Sequence, residues 1–365
     1  MAASNDRTGQ ETPLHDSGNI VAETAARIFA DLGDPQTVNQ AKDAGWRAPL
    51  WNALSEAGLT LAWVPEEHGG SGGTLADGFA VLGVAGRHAV SVPLAETMLA
   101  GWMLARAGSD APSGMMTVAP ARPGDRITLG SNGTLSGSAR SVPFAREAEH
   151  IALVALRYDQ PVVSLVEGSA CRITHGRSLA GDPRDSVDFD GATPIAVAPA
   201  PFDAGSLMLM GAVVRSVQIA GALQSVLDLS VRYANERIAF ERPIAKFQAV
   251  QHNLARLAGE AAAAMAAATS AADAIADASA FDDGIFLEAA SAKIRAAEAA
   301  SEGAAIAHQV LGAIGFTQEH VLHRFTLRML SWRDDFGNES QWAVELGNRI
   351  AARGADAFWP LIASR

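Results

Sequence analysis

The chain is poor in the features that announce several common chemistries. It has one cysteine, Cys171, in 365 residues. One thiol forms no internal disulfide and leaves no cysteine-based metal site, which fits a reducing compartment. No two histidines stand four apart around a glutamate, so the zinc-hydrolase signature is missing. His320 and His323 share a helix face but lack a third ligand in a clear pattern, and no metal is expected. There is no Gly-x-Ser-x-Gly elbow for Ser-His-Asp catalysis. Gly69-Gly70-Ser71-Gly72-Gly73 lacks the lysine of a phosphate loop and reads as a linker. The polar stretch Met1–Gly18 has no apolar core of the kind a secretion signal carries. No run approaches the roughly 18 apolar residues of a membrane span. The least polar stretch, Ala261–Ala280, is broken by Thr269, Ser270, Asp273 and Asp277 and reads as a helix of a soluble protein. The expected setting is cytoplasmic. Basic charge is also short: 28 Lys+Arg stand against 40 Asp+Glu, a formal charge of −12. Such a surplus repels phosphate backbones and argues against nucleic-acid binding.

What is present is a large apolar core. Apolar residues make up 48% and charged residues 19%, which excludes a disordered chain. The length predicts two or three domains at roughly 100–200 residues each. Residues 19–110 are helical in pattern: Trp46, Leu50, Leu54 and Ala57 recur at helix spacing up to Gly58, and helical pattern returns over Leu75–His88 and Ala95–Ala107. Residues 111–202 are rich in Gly, Pro, Ser, Thr and Val. Their short apolar runs at Ile127–Leu129, Leu135–Gly137, His150–Ala155 and Pro161–Val166, with turn signals between them, predict a small antiparallel β-domain. Residues 203–365 return to long helical runs, Leu207–Ala234, Phe247–Ala278 and Asp282–Gly312, with alanine-rich faces suited to tight packing. The fold class is α+β, mainly α.

Four segments give this order a family likeness. They are Ala57–Gly72, the run Arg232–Ile244 with Phe247–Gln251, the run Gln309–Phe316, and Arg333–Gln341. Together and in this order they resemble an acyl-CoA dehydrogenase over nearly the whole chain. The resemblance implies an N-terminal helical domain, a middle β-domain and a C-terminal four-helix bundle. It implies FAD as cofactor, contacted by Arg237, Phe240, Gln248, Gln309, Gly312 and Ala313, mainly on the FAD of a neighbouring subunit. The residue types suit that task. Arg237 offers a bidentate fork for a pyrophosphate. Gln248 and Gln309 can pair with polar nucleotide groups, and Gly312 and Gly315 bare the backbone. Each has a plainer alternative. Arg237 can pair with Glu236 or Glu241, the glycines can end a helix, and Phe240 and Phe247 can be core.

The departures carry as much information. Dehydrogenation of an acyl-CoA needs a carboxylate to take the α-proton beside the flavin. In the resembling family this is a Glu at one of two positions. Alignment on Ser340-Gln341 puts Gly337 at one, and counting back from Arg237 puts Gly211 at the other. The catalytic set expected of this chain is therefore empty. Asp334, Asp335 or Glu339 could substitute, or they could serve as partners of Arg328 and Arg333 and as an acidic first turn beside an Asn338 cap. Arg215 is an extra cation on the Gly211 helix, solvated or contacting a partner or a CoA phosphate. Thr117–Asp125 stands where the family has a flavin-cradling loop, and it lacks that loop's Gly-Ser pair. The resemblance is thus to the non-base subunit of an α2β2 acyl-CoA dehydrogenase, acting on an acyl-CoA such as a steroid side-chain thioester. The partner subunit would carry the glutamate, and an electron-transfer flavoprotein would accept the electrons. A self-sufficient homo-oligomer with a displaced base, and a non-catalytic scaffold, remain alternatives.

Overall fold

The computed structural model describes residues 17–278 and 280–363. Most of the stretch Met1–Gly18 lies outside the described residues. The first section comprises α1 (Ser17–Leu32), α2 (Pro35–Gln40), α3 (Arg47–Glu56), α4 (Leu75–His88) and α5 (Leu94–Arg106). Helix α3 gives way to Gly58 in the left-handed region at φ 71°, as a C-terminal glycine should. Helix α4 opens on a capping box: Thr74 Oγ1 accepts from Asp77 N–H while the Asp77 carboxylate accepts from Thr74 N–H.

The middle section holds β1 (Met116–Ala119), β2 (Ile127–Leu129), β3 (Leu135–Pro143), β4 (His150–Arg157), β5 (Gln160–Glu167), β6 (Arg172–Thr174), β7 (Arg184–Asp188) and β8 (Ala196–Pro199). They form one sheet, ordered β6-β7-β3-β2-β4-β5-β8 with β1 also on β4. The sheet is mixed and not wholly antiparallel: β1 and β2 both run parallel to β4, while the other pairs are antiparallel. The reason is that β1 and β2 lie end to end along one edge of β4, with β1 on His150–Leu153 and β2 on Leu156. The loop between them, residues 120–126, is left free to face the bundle. Strand β4 is apolar nearly throughout because both its faces are covered: Ala152 and Val154 join the core shared with the helices, and Ile151, Leu153 and Ala155 the core within the sheet.

The last section contains α6 (Ala204–Glu236), a two-stranded hairpin β9 (Ile238–Ala239) and β10 (Arg242–Pro243), then α7 (Gln248–Ala276), α8 (Asp283–Leu311), α9 (Leu322–Arg333), α10 (Glu339–Arg353) and α11 (Ala355–Ala363). Helices α6 to α9 pack as the four-helix bundle. Helix α6 is, by length and composition, long and apolar enough to cross a membrane, contrary to the expectation that no run was. Its most apolar window is 94% buried, so it serves here as the core helix. It meets α4 at very close range, since a Cβ on Gly86 or Gly221 would overlap the opposite main chain.

Candidate functional site

The up-and-down order of the bundle decides which residues meet. The C-terminus of α6, the N-terminus of α7, the C-terminus of α8 and the N-terminus of α9 share one end. All six residues expected at a cofactor therefore lie at that end. Arg237, Phe240, Gln248, Gln309, Gly312 and Ala313 are all exposed, Phe240 to 89%. The hairpin that presents Phe240 turns through Phe240 and Glu241 at φ 52° and 65°, a twist matched to a two-residue turn. Phe240 sits edge-on to Phe247 at 6.1 Å, and the Arg242 guanidinium covers the Phe247 ring at 4.3 Å. Arg237 leaves the helix in extended conformation, and it forms no ion pair among the described residues. The pairing with Glu236 or Glu241 is not made. Gly312 ends α8 at φ 67°, and a Cβ there would meet nothing within 4 Å. Phe316 stacks on His308 at 4.3 Å, and the His308 pKa is held below its ordinary value by burial. His320 lies edge-on to Tyr233 at 6.2 Å and ties the start of α9 to the end of α6. His323 Nδ1 sits 2.8 Å from the His320 carbonyl, a structural contact.

The opposite end faces the sheet across a cavity of about 1220 Å³. Its walls come from the 120–126 loop, the first turns of α6 and α10, and the segment before α8. Thr117 belongs to β1, where its hydroxyl donates to the Pro143 carbonyl at 2.6 Å. Pro120, Arg122, Pro123, Gly124 and Asp125 then line the cavity. Gly337, Ser340 and Gln341 line it too. Asn338 caps α10, its side chain accepting from Gln341 N–H at 3.0 Å while Gln341 Oε1 accepts from Asn338 N–H at 3.0 Å.

Both glycines aligned with the base positions are closed to larger residues. A Cβ on Gly211 would stand 2.4 Å from the ring of Phe336, which is fully buried. Gly337 sits at φ 90°, and a Cβ there would stand 2.7 Å from Trp342 Nε1, which donates to the Phe336 carbonyl at 3.0 Å. The carboxylates along the cavity are all engaged. Asp125 bonds Arg140, Asp203 caps α6, Asp282 caps α8, and Glu345 pairs with Arg349. Outside it, Glu339 pairs with Arg333 at 2.9 Å, and Asp334 is exposed at the end of α9.

Asp335 corrects a sequence expectation. It pairs with neither Arg328, which is held by Asp182, nor Arg333. It pairs with Arg215 at 3.0 Å and Arg184 at 2.9 Å. Arg215 is likewise not solvated and contacts no surface. It is 2% exposed and bonds Glu96, Asp335 and Gln218 Oε1. Lys293, fully buried, donates to the Trp332 and Asp335 carbonyls at 2.8 Å each and so caps the end of α9 from within the core. Three cations and two carboxylates from α5, β7, α6, α8 and the α9–α10 turn thus bolt the Phe336–Gly337 segment in place. Sequence reasoning missed Glu96, Arg184 and Lys293, because no local spacing links positions so far apart. Burial pushes the Glu96 carboxyl up and the Lys293 ammonium down from 10.5 to about 7.

That last shift has a signed consequence. Between about 7 and 10.5 the unfolded chain binds more protons at Lys293 than the folded one, so stability rises with pH across that window. Urea unfolding at pH 7, 8.5 and 9.5 should show the native chain gaining on Lys293→Met by about 1.4 kcal/mol per pH unit at most. A constant difference between the two would refute this.

The comparisons with known proteins fit this geometry. Residues 18–112 match the acyl-CoA dehydrogenase N-terminal domain, and residues 204–338 match the acyl-CoA dehydrogenase C-terminal domain. The chain is 29% identical over 312 residues to the acyl-CoA dehydrogenase IpdE2 of Mycobacterium tuberculosis, covering 85% of this chain and 89% of that protein. Its fold is that of the ChsE4-ChsE5 complex from Mycobacterium tuberculosis, with a TM-score of 0.83 at 22% identity over 93% of this chain and 98% of the other. It is also similar to the Tcur3481-Tcur3483 steroid ACAD, with a TM-score of 0.81 at 26% identity over 92% and 98% of the two chains. The chain belongs to the acyl-CoA dehydrogenase family, whose members are oxidoreductases acting on CH–CH bonds.

Proposed function

We propose that this chain is the base-less subunit of a hetero-oligomeric acyl-CoA dehydrogenase and that it completes a flavin site on a partner. One observation carries the reading: both base positions are glycines whose Cβ space is already taken, by Phe336 and by Trp342. A missing carboxylate with its space open would suggest recent loss. Here the protein has repacked around the absence.

FAD, when bound, would supply the hydride acceptor. The residues at the far end of the bundle suit its pyrophosphate and nucleotide portion. Arg237 is exposed and unpaired among the described residues, and the Gly312 backbone is open. Arg237 would hold the pyrophosphate through paired N–H donors, Gln248 and Gln309 would bond polar nucleotide groups, and Gly312 and Ala313 would let the backbone approach. Phe240 would shield one side. The α-proton would go to a glutamate of the partner subunit. Bulky acyl-CoA substrates, steroid side-chain thioesters among them, are supported by the likeness to a steroid enzyme. An electron-transfer flavoprotein is the proposed acceptor, and a cytoplasmic setting is in keeping with the single thiol. A self-sufficient enzyme is disfavoured because the carboxylates along the cavity are already committed to caps and ion pairs.

The test is co-expression with a base-carrying subunit. The lone chain should retain little FAD and reduce no artificial electron acceptor with any acyl-CoA. In the complex, Arg237→Ala should weaken FAD binding about ten- to hundredfold, the worth of a charge-assisted bond pair. Full activity from the lone chain would defeat the proposal. Unchanged flavin content in the Arg237→Ala complex would favour a scaffold.

A further inference from the structure

A second, smaller cavity of about 210 Å³ lies between α4, α5 and the end of α7, and no strand of the sheet lines it. Its walls are set by close packing of aromatic rings. Gly78 makes room for Trp63, since a Cβ there would overlap the indole. The Trp63 Nε1–H donates to the Leu75 carbonyl at 3.1 Å, and its ring meets Phe79 edge-on at 5.1 Å. Trp102 stacks on Phe202 at 4.9 Å and meets Phe281 edge-on at 6.0 Å. Trp102 differs from Trp63 in one respect. It is 4% exposed, yet its indole N–H has no partner among the described residues. A buried donor of that kind calls for an acceptor. Arg106 stands one turn further along the same face of α5, also lines the cavity, and has no ion-pair partner among the described residues. Size narrows the occupant. A dry cavity of about 150 Å³ holds a benzene, so this one holds a single ring with a short side chain and excludes a nucleotide or a fused-ring skeleton. Aromatic faces beside one indole N–H and one guanidinium recognise a ring that carries a carboxylate.

We propose that this cavity binds a small aryl carboxylic acid, free and not as a thioester, at a site separate from the larger cavity. The ring would lie among Trp63, Trp102 and Phe281. The carboxylate would accept from the Trp102 Nε1–H and from the Arg106 guanidinium. The acid would tie α5 to the turn between α7 and α8, and so stabilise the chain by mass action. The site needs no partner subunit, no flavin and no base, so it stands or falls apart from the base-less reading.

The experiment is isothermal titration of the full-length chain with phenylacetate, phenylacetamide and acetate at neutral pH. One phenylacetate should bind per chain. Phenylacetamide keeps the ring and loses the charge, and acetate keeps the charge and loses the ring. Each should bind about tenfold more weakly or worse. Arg106→Gln, at an exposed position, should raise the phenylacetate Kd about tenfold, the worth of a charge-assisted bond. Trp102→Phe, which keeps a ring and loses the N–H, should do the same. Arg122→Gln alters a guanidinium that lines only the larger cavity, and should leave the Kd unchanged. No binding at millimolar phenylacetate, an unchanged Kd in Arg106→Gln, or phenylacetamide or acetate matching phenylacetate would overturn the proposal. So would a Kd raised by Arg122→Gln, which would put the acid in the larger cavity. Should Trp102→Phe fail to fold, Arg106→Gln and Arg122→Gln still decide. Dehydrogenase activity of the lone chain would sink the base-less reading and leave this site standing. Absence of binding, with Arg237→Ala still depleting flavin from the complex, would remove only the site.

Discussion

Arg215→Ala lowers the stability of the folded chain by about 3–5 kcal/mol, the cost of stranding buried charge. The guanidinium is 2% exposed and faces Glu96 and Asp335, themselves 1% and 6% exposed. Removing it leaves Asp335 with Arg184 alone and Glu96 with no cation. The loss should shrink in acid. Burial already raises the Glu96 pKa above its ordinary 4.5. A carboxyl raised on folding binds its proton more readily in the folded state, so its contribution falls as pH rises through that window. Without Arg215 the rise grows, and the variant's deficit should be smaller at pH 5 than at pH 8. A double variant, Arg215→Met with Glu96→Gln, should recover much of the loss, because Asp335 keeps Arg184 and the cost lies in the unpaired charge and not in the missing pair. Urea midpoints at the two pH values check both statements. A single variant within about 0.5 kcal/mol of the native chain, the range of an ordinary surface change, would mean that water reaches Glu96 and the cluster is not buried in solution.

This cluster also marks where sequence reading stops. Helix spans are set by local chemistry, and they were legible. The run Leu75–His88 is a helix over those same residues because its cap and its apolar spacing sit within fourteen positions. The three long bundle helices depart from their expected ends by at most a few residues. Strands β4 and β5 stand out by their apolar runs. Strands β6, β7 and β8 do not: they are three to five residues long, and β7 holds one apolar residue, Val187, among charged and polar ones, as a surface loop might. The parallel placement of β1 and β2 on β4 is set by the tertiary path and by nothing local. At the site, Arg237 and its neighbours were found through motif order, and the bundle's topology brings them to one end. The partners of Arg215 lie 119 and 120 residues away. A burial pattern can say that a residue is inside, but not which other charge it meets there.

Gly211→Glu, the substitution that writes a carboxylate into one expected base position, should not create a dehydrogenase. It should cost stability on the scale of core overpacking, about 1–3 kcal/mol or more, because its Cβ would stand 2.4 Å from the Phe336 ring. Phe336 cannot simply step aside. It is fully buried, its φ is 54°, and the turn that carries it is bound to Lys293, Arg215 and Trp342. Gly337→Glu meets a different obstacle, a backbone at φ 90° with Trp342 at 2.7 Å, for which strain of about 1–3 kcal/mol is the ordinary cost. Only the first obstacle is the Phe336 ring. Gly211→Glu combined with Phe336→Ala should therefore be more stable than the sum of the single losses predicts, with a coupling of about 0.5–3 kcal/mol between contacting residues. Thermal unfolding of the four proteins gives that coupling. An assay of each with an acyl-CoA and an artificial acceptor gives the chemistry. Turnover by Gly211→Glu alone, at native stability, would show that the position had only lost a side chain. No turnover by that variant, with stability recovered in the double, would show that the fold had closed over the gap. The second outcome is the one this packing requires. It would mean that, on the proposed reading, the base comes from another subunit, since a carboxylate at Gly211 needs the space that the Phe336 ring fills.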